Sequence, residues 1–518
     1  MNSVQKSYLY RIGVDIGSQY NTSTLARLLR ALGHWCNRQI DDSAILQVLC
    51  REGVVARSWG TSVVCRVLTL LVNFPSYLLH RLYLTFQTKF DESVFAGFFF
   101  EIGAETPIAQ SWLIMLLWVI PFSHWNNVYN LIAYMLLLAS FYMRGMREEG
   151  ARLDVRAAGF YPALLFGSIC LAVVQSAYPA LSTRFLMYHV VCLLCVLVTI
   201  SAVRCMEDLK RLITSAAFTV MVMSLYGVYQ RIRGVRVNKS YVDTTVNEGM
   251  PGRVQSIFDN PNTFAEVLIL LLPLILALII TSRHWFPKLV ACGIFVLGVA
   301  ALGMTYSRAS WVGIAIAMAV FVFLWKPALI PAFIAVCLLC IPVLPSTIWN
   351  RILTITNTSD SSTISRIPLY QAAAATIKKS PVSGAGLGTA AVQRYISDHN
   401  LYHASAPFVH AHNIYLEVWI EAGILGFLGF AASMFWNIKN AARAVRHSES
   451  SVARTVTAAS AASLCGAMVC GLADYLWNYP RVMSIFWFVF AMAIAGLKLC
   501  RAEAGAAKNC EDVTGLSR

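Results

Sequence analysis

The chain has 518 residues, 58% of them hydrophobic and only 13% charged, with a mean hydropathy of +0.61. No single soluble core hides that much apolar surface, so an ordinary water-soluble domain is excluded and an all-α, polytopic helical membrane protein is the direct reading. The formal charge of +15 fits loops lying beside anionic lipid, and since no basic block stands alone, nucleic acid is not an expected partner.

Residues 1–105 differ in character from the rest. They open without a charged n-region, short apolar core and cleavage site, so no signal peptide is expected. Leu25, Leu28, Leu29, Leu32 and Trp35 recur at helical spacing with Arg27, Arg30, His34 and Arg38 between them. A second apolar run, from Arg66 to Phe86, is interrupted by Pro75 and carries His80 and Arg81. Both suit basic amphipathic helices on the inner membrane face, or a small cytoplasmic helical domain.

Membrane-like periodicity begins near residue 108. Apolar segments at 108–122, 126–143, 157–175, 184–203, 209–229, 263–281, 287–304, 309–325, 327–345, 413–436, 455–473 and 481–499 make about twelve predicted transmembrane helices. A span needs about 20 residues, so the first and some later ones are short. They form a membrane domain over 106–499, followed by a tail over 500–518. Short loops rich in arginine and lysine, such as Arg144 to Arg156, Arg204 to Arg211 and Lys439 to Arg454, alternate with short loops that carry none. The positive-inside rule then places both termini in the cytoplasm. Two long loops, 230–262 and 346–412, fall outside; the second joins helices 9 and 10.

The 14 cysteines give no external disulfide framework. Cys192-x-x-Cys195 and Cys337-x-x-Cys340 have redox or zinc spacing, but both lie within apolar helices without further ligands nearby, so they read as small buried hydrophobes. Thr263-Phe-Ala-Glu266 matches a capping box, which would account for Glu266. Gly384-Ala-Gly-Leu-Gly388 follows a helix rather than a strand, so it is read as a turn and not as a dinucleotide fingerprint.

The outer loops hold more arginine than topology requires. Four stretches occur there in order: Arg253-Val-Gln-Ser-Ile-Phe-Asp-Asn-Pro-Asn; Thr305-Tyr-Ser-Arg308-Ala-Ser-Trp; Arg366 followed by Ser380 to Gly388; and Pro407-Phe-Val-His-Ala-His412-Asn-Ile-Tyr-Leu-Glu. In the last, Asn413 can cap the helix that follows. Glu417 and Glu421 lie four apart within an apolar run, where a carboxylate is costly and usually retained for a purpose.

Together these stretches, over residues 110–499, resemble the O-antigen ligase and polysaccharide polymerase superfamily of bacterial membrane glycosyltransferases. The resemblance implies an enzyme of the bacterial plasma membrane, multi-pass, with its active site on the outer face. It implies transfer of a glycan from an undecaprenyl-diphosphate carrier to a hydroxyl of a glycan, lipid or protein acceptor, in cell-surface polysaccharide biosynthesis. No cofactor and no metal are implied. Arg253, Arg308 and Arg366 match the positions that would hold the diphosphate, where a planar guanidinium suits phosphate oxygens. His412 matches the motif histidine and is the candidate general base. Asn413, Glu417 and Glu421 are supporting residues. His399, His403 and His410 are read as surface histidines. Tyr370, Tyr395, Tyr402, Tyr415 and Trp419 are candidate sugar-stacking groups with packing roles equally open. A lipid-linked glycan flippase is the alternative; it would need midplane helix breaks and internal repeats, and no convincing repeat is present.

Overall fold

The computed structural model describes residues 23–44, 47, 53–236, 251–343, 345–353, 364–404, 407–448 and 451–514. Among them the regular structure is helical throughout. The first part consists of α1 (Thr24–Asp41), α2 (Val54–Trp59), α3 (Val63–Thr85), α4 (Gln87–Asp91) and α5 (Val94–Ala104). Next come α6 (Thr106–Leu117), α7 (Val128–Arg147), α8 (Val155–Ala158), α9 (Phe160–Gln175), α10 (Pro179–Ala202) and α11 (Met206–Arg233). Then follow α12 (Pro261–Thr281), α13 (Trp285–Met304), α14 (Arg308–Trp325) and α15 (Ile330–Cys340). The last elements are α16 (Ser346–Leu353), α17 (Arg366–Lys379), α18 (Thr389–Asp398), α19 (Ile414–His447), α20 (Ser451–Cys470) and α21 (Pro480–Thr514).

Nine of the described helices are long and apolar enough to cross a membrane: α3, α10 to α14, and α19 to α21. Each of the twelve predicted segments contains a helix, and eight of these are among the nine. Of the other four, α6, α9 and the 327–340 stretch are apolar but short, and α7 ends on Arg144 and Arg147. The ninth long helix, α3, is the run that Pro75 was expected to interrupt; it continues straight through that proline. Pro75 removes one backbone donor, and Tyr142 of α7 supplies a nearby hydroxyl, donating to the Val72 carbonyl at 2.5 Å. The two cysteine pairs diverge. Cys192 and Cys195 are buried as expected, whereas Cys337 and Cys340 are exposed on α15, which buries none of its residues.

Three helices form the centre of the bundle. The apolar stretches of α12 and α20 are each 78% buried and that of α21 is 94% buried, so all three are walled by protein rather than lipid. Helix α20 packs on α12, α14 and α21. Small residues permit the close approach to α14: a Cβ on Gly466 would stand 2.5 Å from the Gly313 carbonyl oxygen and 2.8 Å from Ala317 Cβ. Helix α19 is two helical pieces joined at Gly423, whose φ of +65° and ψ of −171° leave the helical region. A Cβ there would overlap the Val382 carbonyl, so only glycine fits. The break gives backbone partners to the chain that follows α17: Ile424 N donates to Pro381 O at 3.0 Å and Ala385 N to Ile420 O at 2.6 Å. The 346–412 segment is thus largely helical where described and is docked on α19 through its glycine turn. The N-termini of α12, α14, α19 and α21 meet at one end of the bundle, where the 471–479 connection lies.

Candidate functional site

Asn413 fixes where α19 begins. Its side-chain oxygen accepts from Tyr415 N at 3.0 Å and Leu416 N at 3.1 Å, while its amide donates to Leu472 O at 3.0 Å. Ile414 N donates to Gly471 O at 2.8 Å. The cap therefore also stitches the start of α19 to the connection between α20 and α21. That connection carries Asp474, and His412 Nδ1 lies 3.1 Å from Asp474 Oδ1.

The carboxylate is buried, and burial by itself would raise its pKa. The hydrogen bond from His412, with the nearby imidazoles and the Arg366 guanidinium, outweighs that and holds Asp474 well below the ordinary carboxylate range. An ionised Asp474 accepts only, so His412 Nδ1 carries a proton toward it, and Nε2 is the ring nitrogen turned away from the carboxylate. The imidazole is 33% exposed while the Asp474 side chain is 12% exposed, so one face of the ring is open to a reactant.

His410 departs from the sequence reading. It is 6% exposed rather than a surface histidine. Its ring centroid lies 4.0 Å from that of His412 and 5.7 Å from that of Tyr475, and its Nδ1 accepts from His412 N at 3.1 Å. Burial, then the charge of His412, pushes its pKa down to about 4, so it is neutral near pH 7. His403 is exposed and His399 half-buried, its Nδ1 2.9 Å from Tyr395 O.

The arginine side joins this pair through Asp474. Asp474 Oδ2 accepts from Asn262 Nδ2 at 3.0 Å, and the Asn262 side-chain oxygen accepts in turn from Arg253 Nη2. Arg253 Nε donates to Thr305 O at 2.7 Å. A continuous path, Arg253 to Asn262 to Asp474 to His412, thus links the first and fourth motif stretches, with the second anchoring Arg253. Arg308 opens α14 in the turn just after Thr305, where Ser307 Oγ and Ser310 Oγ lie 2.9 Å apart. Arg366 opens α17, and its charge acts on Asp474, His410 and Tyr370. Three of the four non-glycine residues with positive φ among the described residues flank this path: Ser256 at +55°, Tyr306 at +51° and His412 at +46°. Such backbone costs energy and is retained where the surroundings over-determine it.

The two glutamates brace the pair from below. Glu417 Oε2 accepts from Ala411 N at 2.6 Å, beside His412, and Glu421 Oε1 accepts from Tyr475 Oη at 3.1 Å, beside Asp474. Both are buried. Several aromatic candidates are held by the protein: Tyr415 Oη donates to Met468 O, Trp419 Nε1 to Pro381 O, and Tyr395 Oη pairs with Ser380 Oγ. Tyr402 packs edge-on against Phe408. Tyr370 sits in the field of Arg366 and Asp474.

The capping-box reading of Thr263 and Glu266 is corrected. Asn260 is the cap, accepting from Asn262 N at 2.8 Å, and Thr263 lies inside the helix. Pro261 at the first helical position moved the start upstream of Thr263. Asp474 was missed by the sequence reading, which weighed carboxylates inside an apolar run, as at Glu417 and Glu421, and not one standing just after such a run. His410, His412 and Asp474 each offer one ligand atom, all within 4.8 Å of one another, which is the donor set a divalent ion would use here.

No curated protein matches the chain. Residues 293–431 match the family model described as O-Antigen ligase. The matched stretch contains Arg308, Arg366, His412, Asn413, Glu417 and Glu421, while Arg253 and Asp474 lie outside it and are joined to it by the hydrogen bonds above. The chain is a polytopic membrane protein, helical throughout its described residues, whose residues 293–431 are similar to the O-antigen ligase family.

Proposed function

We propose that the protein transfers a glycan from an undecaprenyl-diphosphate donor to an acceptor hydroxyl, as a ligase or polymerase of cell-surface polysaccharide. The single observation that carries this reading is the path from Arg253 through Asn262 and Asp474 to His412, which holds a guanidinium and an imidazole in one hydrogen-bonded frame. The acceptor oxygen attacks the anomeric carbon as the bond from that carbon to the phosphate oxygen breaks. The hydroxyl proton passes to His412 Nε2, Asp474 stabilises the imidazolium that forms, and the lipid diphosphate leaves with the electron pair. One displacement inverts the anomeric configuration. Negative charge grows on the leaving group, and arginine at about 4 Å in an effective dielectric near 20 contributes about 4 kcal/mol before desolvation. Arg253, Arg308 and Arg366 have that role, with Arg253 already oriented by Thr305 and Asn262.

Arg253→Lys tests the arginine assignment. A lysine is a point charge and cannot hold both Thr305 O and Asn262 Oδ1 while facing phosphate. Transfer by the purified variant should fall by about 10²-fold or more, as a charge-assisted contact worth about 3 kcal/mol implies. Wild-type transfer would remove Arg253 from the diphosphate site.

The reading also needs the site on the outer face of a bacterial plasma membrane, with both termini inside. In a cysteine-free background, an impermeant thiol reagent applied to intact cells should label His403→Cys and leave Glu148→Cys unmodified until the cells are lysed. The opposite pattern would put Arg253 and His412 in the cytoplasm, away from any outward-facing acceptor.

A further inference from the structure

The opposite end of the bundle holds a second constellation that the transfer reaction does not use. Helix α21 starts at Pro480, close after Asp474, and reaches Lys498 eighteen residues on, about 27 Å away along its axis. There a cavity of about 500 Å³ opens among α2, α8, α9, α19 and α21. Arg57, Arg156, Lys498 and Arg501 line it, against one acidic side chain, Asp154. An adjoining cavity of about 400 Å³ shares Asp154, Arg156 and Lys498 and adds Arg144, Arg152 and Arg204.

The three arginines that the second cavity adds are satisfied by the protein. Arg144 pairs with Glu148 at 2.8 Å, Arg152 donates to Ser76 Oγ at 2.6 Å, and Arg204 lies 3.8 Å from Asp208. The first cavity is different. Lys498 is 3.8 Å from Asp154 and donates to Ile200 O at 3.2 Å, and Asp154 also accepts from Ala157 N at 2.9 Å. Arg57, Arg156 and Arg501 are exposed, and their guanidinium groups have no hydrogen-bond or carboxylate partner among the described residues. Room is made for Arg156 by Gly60, where a Cβ would overlap its guanidinium. Like charges gathered at one mouth repel each other unless an anion joins them. The wall beside them is apolar and aromatic, with Trp59, Phe160 and Trp436, the composition of a membrane–water boundary.

We propose that this cavity is a binding site for a phosphate-bearing anion, occupied by the headgroup phosphate of an anionic phospholipid, with the aromatic wall against its glycerol and upper acyl chains. Guanidinium groups match phosphate oxygens, and three without protein partners converge on one opening. The site joins α2 to α19 and α21 of the bundle, so a bound lipid would hold the N-terminal helices to it. It is independent of the role given to His412.

The test uses full-length protein purified in zwitterionic detergent and in phosphatidylcholine nanodiscs with or without phosphatidylglycerol. Native mass spectrometry should show phosphatidylglycerol retained by the wild type, and affinity should fall roughly 30-fold in Arg57→Gln/Arg156→Gln, at about 1 kcal/mol per cation. Arg57→Lys/Arg156→Lys keeps the charge and should recover most of the binding, which separates loss of charge from loss of fold. Equal retention by the wild type and the glutamine variant overturns the site. A thermal-shift arm with inorganic phosphate in lipid-free micelles distinguishes the source. Stabilisation of the wild type there, absent in the glutamine variant and not exceeded by phosphatidylglycerol, overturns the lipid assignment in favour of a soluble phosphate.

Discussion

His412→Ala should bind the lipid-linked donor as the wild type does and transfer its glycan about 10²–10⁴ times more slowly. That corresponds to about 3–5 kcal/mol of transition-state stabilisation. The argument is electrostatic and geometric. Asp474 is held well below the ordinary carboxylate range, chiefly by the hydrogen bond from His412, so the His412 proton lies on Nδ1 and the second nitrogen is left to accept. The ring is the more exposed member of the pair. Nothing that holds Arg253 depends on the imidazole itself, because Arg253 is anchored on Thr305 and Asn262. Donor binding therefore survives. Glu417→Gln is the contrast. A glutamine oxygen can still accept from Ala411 N, so the loop before His412 keeps its brace, and the expected loss is in yield rather than in rate per folded molecule. A Glu417→Gln protein that folds, binds donor and is inactive, beside an active His412→Ala protein, would move the base to the glutamate.

Asp474→Asn should impair both halves of the site. One Asp474 oxygen faces His412 Nδ1 and Tyr475 N; the other faces Asn262 Nδ2. All three neighbours donate, and a carboxamide has only one accepting oxygen. Its NH₂ must face a donor on one side or the other. Asn262 cannot turn over to meet it without releasing Arg253, which donates to the Asn262 oxygen. The substitution thus disturbs the imidazole, the arginine, or both, and removes the charge that stabilises an imidazolium. The expected outcome is roughly 10²-fold slower transfer, as loss of a charged hydrogen bond worth about 3 kcal/mol implies, with donor affinity also reduced several-fold. The pattern separates the two residues: His412→Ala changes rate alone, Asp474→Asn changes rate and binding. Normal rate and binding in Asp474→Asn would mean that the hydrogen-bonded path has no part in the reaction.

The helices were readable because apolar runs long enough to span carry their own signal. All twelve predicted segments contain a helix, with most boundaries within several residues of the apolar limits, but α19 and α21 run on 11 and 15 residues past theirs, to His447 and Thr514. What local sequence does not contain is partner choice. His410 read as a surface residue because it stands in a polar loop, yet the chain before α19 folds under Tyr475 and buries it. Asp474 lies 62 positions from His412, and nothing near it in sequence names its partner. The position of the α12 cap was decided by Asn260 and Pro261 rather than by the Thr263 and Glu266 pair. The docking of the glycine turn depended on Gly423, a break in a helix whose apolar pattern runs on unbroken. Arg253, Arg308, Arg366 and His412 were found through the order of four short stretches, and the structure joins the first of these arginines to the histidine through two residues that the stretches did not single out together.

The most direct measurement is a reaction of the purified wild-type protein in detergent with an undecaprenyl-diphosphate donor carrying a labelled sugar, an acceptor glycan, and no other enzyme. The account predicts that label appears in a new glycosidic bond of inverted anomeric configuration, with one lipid diphosphate released per bond formed. If the protein forms no glycosidic bond, and proteoliposomes containing it instead move the intact labelled donor across the bilayer, the protein is a flippase and the roles assigned to Arg253, Asp474 and His412 in glycan transfer are wrong.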